Sequence, residues 1–255
     1  MTNIHSTAMI ADTVELGRDV CIGPYCCVDG NVVLGDNCHL DTHVVVSGNT
    51  TVGADTRIFP FASIGHISQD LKYDGEDVSL EIGARNTIRE HVTMNPGTDH
   101  GGGVTRIGDD NLFMVGVHVA HDCIVGNNVI MANNATLGGL VGVHQFARIG
   151  AHSFVGAGSL VTEDVIPFGM VSGNRAELGG LNLVGLKRRN FERDEINILR
   201  AAFKDIFMTQ NETFQTRVLR ARETYAESDL VNQMIDFILV EKSRGYCLPS
   251  ASLLG

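Results

Sequence analysis

Apolar residues return at every sixth position. They stand at Ile4, Ile10, Leu16, Ile22, Val28, Leu34, Leu40, Val46, Val52, Ile58 and Ile64, eleven hexads in unbroken phase. The period resumes at Ile82, Ile88 and Met94, then runs from Ile107 through Phe113, Val119, Val125, Met131, Leu137, Val143, Ile149 and Val155 to Val161. A helix face repeats at 3.6 residues and a simple strand at two, so a period of six fits neither. A fixed internal repeat of this length is the mark of a solenoid. It predicts a triangular parallel β-helix, in which each hexad supplies one short strand and one corner and three hexads close a coil of 18 residues. The leading apolar residue of each hexad points inward and stacks on its counterpart one coil away. Glycine in second position, as in Leu16-Gly17, Ile22-Gly23, Leu34-Gly35, Val125-Gly126, Ile149-Gly150 and Val155-Gly156, is expected to tolerate the corner. Each strand edge is paired by the next coil, which satisfies the backbone along the stack.

The period divides the chain. Two interruptions, about Gly65–Glu81 and about Asn95–Arg106, read as loops thrown out from the prism, and long loops on a rigid scaffold often carry function. The period stops near Pro167, and a glycine-rich linker is expected from there to Gly185. Beyond it the pattern turns helical, with Ile196, Leu199, Phe203, Ile206 and Phe207 on one face and further helices over 212–226 and 228–243. The fold expected is therefore mainly β: a parallel β-helix over residues 1–185 and a small C-terminal α-helical domain over 186–255.

Charge narrows the function. The net charge of −11 is unevenly placed: residues 1–186 hold 8 Lys+Arg against 20 Asp+Glu, while residues 187–255 hold 11 against 10. An acidic body argues against general nucleic-acid binding. The basic cluster Lys187, Arg188, Arg189, Arg193, Arg200 and Lys204 is suited to a phosphate or an acidic protein, or is simply a solvated helix face. No apolar run approaches the roughly 20 residues of a membrane span, and no signal peptide is visible. The six cysteines form no CxxC pair and no metal-ligand spacing, so no metal site is expected, and they read as small apolar fillers in a reduced cytosolic protein.

The densest ionisable cluster inside the repeat is His118-Val-Ala-His121-Asp122. Histidine is the side chain best suited to take a proton near neutral pH, so the sharp reading is a general base with a helper; the bland one is a pair of surface histidines on a polar prism. Asp122 is placed to fix a histidine tautomer, although adjacent residues of a strand point to opposite sides. Gly139 follows His121 by 18 residues, one coil, which sets its N–H beside His121 and open to a developing oxyanion. His144 and His152 add imidazoles downstream. No nucleophile motif, GxGxxG or Walker pattern appears, so direct transfer assisted by a base fits better than a covalent intermediate or nucleotide hydrolysis.

The hexads together with QDLKY at 69–73, REHVTMNPGT at 89–98, HVAHDCIVGN at 118–127, ANNAT at 132–136, HQF at 144–146, IGAH at 149–152 and GLKRR at 185–189 resemble the acyl-ACP–UDP-N-acetylglucosamine O-acyltransferases, which act first in lipid A synthesis. The resemblance covers essentially the whole chain. It implies a left-handed β-helix, an exception to right-handed crossovers because the connections are short corners. It also implies a cytoplasmic homotrimer with sites in the clefts between subunits, and no cofactor beyond the phosphopantetheine of acyl carrier protein. On this resemblance His121 is the base toward the glucosamine 3-hydroxyl, Asp122 orients it, and the Gly139 amide holds the oxyanion. Asp70 and Lys72 match residues that hold the nucleotide sugar, His118 one near the reacting groups, and His144 and Gln145 further pocket residues. Asn182, Arg188 and Arg189 match those that reach the uridine and phosphates from the neighbouring subunit, and the basic patch would meet the acidic carrier protein. Ala157 falls where side-chain bulk limits acyl length.

There are departures from the family pattern. Val184 and Arg175 stand where some members have glutamate and histidine. Between Leu137 and His144 the family usually has two more hexads, including another active-site histidine, whereas this chain reads LGGLVGVHQF. Such a loss keeps the six-residue phase but drops two of three faces, so everything after it is expected to turn to a different side of the prism. Two rival functions follow: N-acylation of a 3-amino nucleotide sugar, or an impaired solenoid that only binds the carrier.

Overall fold

The computed structural model describes residues 2–137, 146–209, 212–240 and 245–249. The hexads build a left-handed parallel β-helix with three flat faces. Face one begins at Asn3–Ile4, face two at Met9–Ile10 and face three at Glu15–Leu16; among the described residues they hold ten, eight and seven strands. The registers place the leading hexad residues on one another. On face one the ladder runs Ile22, Leu40, Ile58, Ile88, Phe113, Met131, Val155 and Val171, all at most 2% exposed. Burying each such side chain contributes about 1.5–3 kcal/mol, so the period that identifies the fold also holds it together.

A second inner row lies two residues before each leading position and escaped the hydrophobic period. It consists of small residues of mixed polarity, among them Val20, Cys26, Cys38, Thr56, Asn86, Asn111, Cys123 and Ala147, all buried. The asparagines form a ladder of their own: Asn86 Nδ2 donates to the Gly83 and Gly108 carbonyls, and the Asn111 N–H donates to Asn86 Oδ1 at 3.0 Å. All six cysteines are free thiols, and three belong to this row.

The corners work differently from expectation. The second-position glycines do not carry the unusual backbone; that falls two residues later, on Asp19, Tyr25, Asn37, Asp55, Arg85, Asp110, Asn128 and His152, with φ between 55° and 59°. The glycines are needed for space: a Cβ on Gly53 would lie 2.5 Å from the Gly83 carbonyl carbon of the next coil.

The turn of faces after Leu137 is corrected. The strand Arg148–Ile149 pairs with Ile124–Val125 on face three, and Leu160–Val161 pairs with Thr136–Leu137 on face two. The chain spends twelve residues between Leu137 and Ile149 where the period would spend six, and Val143, the position this diverts, lies outside the described residues. The two absent hexads and the one diverted hexad together make one whole coil. Every later strand therefore keeps its side of the prism.

The glycine-rich stretch is no linker. Gly169–Ser172 joins face one beside Phe154–Val155, and Glu177–Leu181 folds back on it antiparallel, burying Val171 and Leu178. Glycines at 179 and 180 masked this hairpin in the sequence. Helix α1 (Leu183–Arg188) follows, then α2 (Arg193–Phe203), which widens into a π-helical turn over Lys204–Met208, then α3 (Phe214–Thr224) and α4 (Asp229–Leu239). Both loops are shorter than expected, because Ser79–Ile82 and Val104–Ile107 are already strands of face three.

Candidate active site

All the interruptions of the period fall on one edge. Beyond three short corners at the N-terminal end, the next four connections from face two to face three are, first to fourth, Gly65–Val78, Asn95–Gly103, the tight corner Ala120–Cys123, and residues 138–147. A solenoid edge made of identical corners has no reason to break there, coil after coil, unless the edge does something. The edge carries Asp70 and Lys72 on its first connection and His121 and Asp122 on its third, with His118 on the strand leading in. Gly139, His144 and Gln145 belong to the fourth connection and lie outside the described residues.

His121 and Asp122 meet directly. Asp122 takes a left-handed backbone, φ 60°, which turns its carboxylate back toward its predecessor instead of across the strand. His121 Nδ1 then lies 2.5 Å from Asp122 Oδ2. The pair is buried, with the two side chains 6% and 0% exposed. A buried carboxylate needs donors, and Asp122 has two more from the second loop. Thr98 gives its N–H to Oδ1 at 2.8 Å and its hydroxyl to Oδ2 at 2.7 Å. The Asp122 N–H donates to Thr105 Oγ1 at 2.8 Å. With Nδ1–H turned to Asp122, His121 Nε2 carries the lone pair; it has no hydrogen-bond partner among the described residues. That is the tautomer a general base requires.

His118 Nδ1 is 2.7 Å from Thr93 Oγ1 one coil below. Burial, and secondarily the nearby His121, holds its imidazole below the ordinary histidine range, so it stays neutral near pH 7. Asp70 and Lys72 are on the same edge, but their hydrogen bonds stay within the loop: the Lys72 N–H donates to Asp70 Oδ1 at 3.0 Å. Asn95 ties the two loops together through the His66 and Ile67 carbonyls. The first loop projects Leu71, fully exposed, and Ile67, mostly exposed.

The remaining candidates are not brought to this edge. Asn182, Arg188 and Arg189 lie outside face one, opposite it, around a cavity of about 520 Å³ lined by Ile130, Phe154, Met170, Leu183 and Val184. Asn182 is committed to the fold: it caps α1 by accepting the Gly185 N–H at 3.0 Å and donates to the His152 carbonyl at 3.0 Å. Arg189 donates to the Asn128 carbonyl at 2.8 Å, and burial lowers its pKa. Arg188 is exposed. Ala157 is exposed at the corner between faces one and two. Thr98 and Thr105 were missed by sequence reasoning; the only signal was that the second loop begins NPGT, inside a motif already singled out. Among the described residues no group of His, Cys, Asp or Glu is placed to hold a metal, and no helix is long and apolar enough to cross a membrane.

Residues 164–247 match the family model described as UDP N-acetylglucosamine O-acyltransferase, domain 2, and residues 105–139 match the bacterial transferase hexapeptide repeat. The chain is 42% identical over 264 aligned positions to the acyl-[acyl-carrier-protein]–UDP-N-acetylglucosamine O-acyltransferase of Rhizobium johnstonii, covering 99% of this chain and 97% of the relative. It is 52% identical over 204 positions to the enzyme of the same name from Paracoccus denitrificans, covering 75% and 77% of the two chains. Among solved structures, the UDP-N-acetylglucosamine acyltransferase of Francisella novicida superposes with a TM-score of 0.83 at 31% identity, covering 97% of this chain and 94% of that one.

Proposed function

The chain belongs to the acyl-[acyl-carrier-protein]–UDP-N-acetylglucosamine O-acyltransferase family, and from that premise we propose that it moves a 3-hydroxyacyl chain from acyl carrier protein to the 3-hydroxyl of UDP-N-acetylglucosamine, the first step of lipid A synthesis. It is an acyltransferase. The observation that carries the mechanism is the buried His121–Asp122 pair with a bare Nε2. His121 Nε2 takes the sugar hydroxyl proton as that oxygen attacks the thioester carbonyl. The carbonyl oxygen becomes an oxyanion, held by the Gly139 N–H. Collapse forms the ester, breaks the C–S bond, and returns the proton from Nε2 to the departing phosphopantetheine thiolate. Asp122 keeps the proton of Nδ1 in place and stabilises the imidazolium between the two transfers. His118, neutral, lies close enough to donate a hydrogen bond to a reacting group. Asp70 and Lys72 hold the sugar nucleotide from the first loop.

A homotrimer completes the site. Asn182, Arg188 and Arg189 sit on the side of the prism away from His121, so they serve the same site only across a subunit boundary. The exposed Ile67 and Leu71 beside one half-site, and the apolar cavity beside the other, are complementary in chemistry. Asn182 contributes by fixing the start of α1, which presents Arg188. Lys187, Arg188, Arg193, Arg200 and Lys204 are exposed and form no ion pair among the described residues, which suits them to the acidic carrier in the cytoplasm. The impaired-solenoid reading loses its ground because the coil phase survives the missing hexads.

The decisive experiment is acyl transfer from a series of 3-hydroxyacyl carrier proteins to UDP-N-acetylglucosamine, wild type beside His121→Ala. Turnover in the wild type with a loss of about 10²-fold or more in the variant is expected. A well-folded trimer that turns over no chain length would overturn the proposal.

A further inference from the structure

We propose that Thr98 is a positioning residue for this reaction: it locks the Asp122 carboxylate and through it the ring of His121. The inference rests on the reading of His121 as the base. Thr98 is buried, 3% exposed, and it grips both carboxylate oxygens at once, Oδ1 by its N–H at 2.8 Å and Oδ2 by its hydroxyl at 2.7 Å. Two donors from one residue fix the plane of a carboxylate, which a single donor leaves free to swivel. Oδ2 is also the oxygen that meets His121 Nδ1, so the hydroxyl and the ring share one acceptor and each limits the other's position.

The loop is built around that grip. The Thr98 carbonyl accepts the Gly101 N–H at 2.9 Å and the Gly103 N–H at 2.8 Å, closing a short 3₁₀ turn over the carboxylate. Gly101 has no room for a side chain: a Cβ there would lie 1.9 Å from Asp122 Cγ. Below, Thr105 Oγ1 accepts the Asp122 N–H and holds its left-handed backbone. The second loop is thus a lid on Asp122, and the departure from the six-residue period that creates it places one hydroxyl where the dyad needs it. A hydrogen bond to an ionised group strengthens orientation more than a neutral one does.

The test uses the full-length protein and four variants: Thr98→Val, Thr98→Ser, Gly101→Ala and His121→Gln. Valine keeps the shape and loses the hydroxyl; serine keeps the hydroxyl. Acyl-transfer kinetics are read beside the downfield imidazole Nδ1–H resonance, assigned by its absence in His121→Gln. Thr98→Val and Gly101→Ala are expected to lower kcat about 10- to 100-fold with little change in KM, and to shift that resonance, while Thr98→Ser retains most of both. If Thr98→Val leaves kcat and the resonance unchanged while His121→Gln is inactive, the positioning role is overturned and the base reading stands. The role is likewise overturned if kcat falls with the resonance unmoved, or if Thr98→Ser is as impaired as Thr98→Val, since either would mean packing alone. An active His121→Gln overturns the base reading, and the resonance arm still decides whether Thr98 orients the ring.

Discussion

Asp122 reaches the ring of its own neighbour because its backbone takes a conformation that few side chains accept. Aspartate and asparagine tolerate the left-handed region better than most, so Asp122→Asn keeps the corner while removing the charge that holds the tautomer. A fall in kcat of about 10²- to 10⁴-fold is the outcome expected from kinetics, with a lowered melting temperature in thermal unfolding because the amide NH2 meets donors where the carboxylate accepted from Thr98 and His121. A second prediction concerns protons away from the dyad. His118 and His152 are both held below the ordinary histidine value of 6.5, burial being the first cause in each, with His121 and Arg189 adding to it. Below about pH 6.5 the unfolded chain takes up these protons and the folded chain lags behind, so stability is lost as pH falls through that window. Urea midpoints at pH 7.5 and 5.5 should differ less in His152→Gln than in wild type. The identities His118, His121 and Asp122 were legible in the sequence because their chemistry is carried by residue type. Their contact was not: alternation along a strand argues against it, and no sequence pattern announces a left-handed aspartate.

The hexads were legible for the opposite reason, since stacking the same inward position on itself writes the fold into a repeat. What the repeat concealed is the division of labour at each corner. Where glycine follows the leading residue it supplies clearance and the residue two places on supplies the turn, often an aspartate or asparagine; Tyr25 takes that turn behind Gly23, whereas His43, Phe61 and His91 take it behind Asp41, Phe59 and Arg89. Those four rings stack along one edge with centroids 5.0–5.3 Å apart, which offsets part of the cost of their backbone. Two glycine substitutions separate clearance from conformation. Gly53→Ala drives a Cβ against the backbone of the next coil and should cost about 1–3 kcal/mol; Gly75→Ala meets nothing but has φ 87° and should cost about 1 kcal/mol. Chemical denaturation of both variants checks the order. The hairpin after Pro167 was illegible because its glycines read as punctuation, yet Val171 and Leu178 bury as well as any hexad residue.

Across the molecule, one ion pair joins the prism to the helices and the tail. Arg148 donates Nε to Asp164 Oδ2 at 2.8 Å and Nη2 to the Phe237 carbonyl at 3.2 Å, and its guanidinium lies 4.3 Å from the Phe237 ring centre. Asp164 in turn pairs through its backbone with Gly245 and Cys247. Its carboxylate is 1% exposed, so Arg148→Ala strands a buried charge and should cost about 3–5 kcal/mol. Combining it with Asp164→Ala should cost no more than the single change, which a double-mutant cycle measures. The split between His121 and the α1 cavity was foreseen only through family resemblance, because no local pattern states which side of a prism a residue faces. The passage from Leu137 to Ile149 carries a wider consequence. A three-sided solenoid has a frame, much as a coding message does, and it counts in eighteens. A deletion that is out of frame is brought back into frame within one connection at the same edge, so a whole ring can vanish while every downstream strand still faces the way it did.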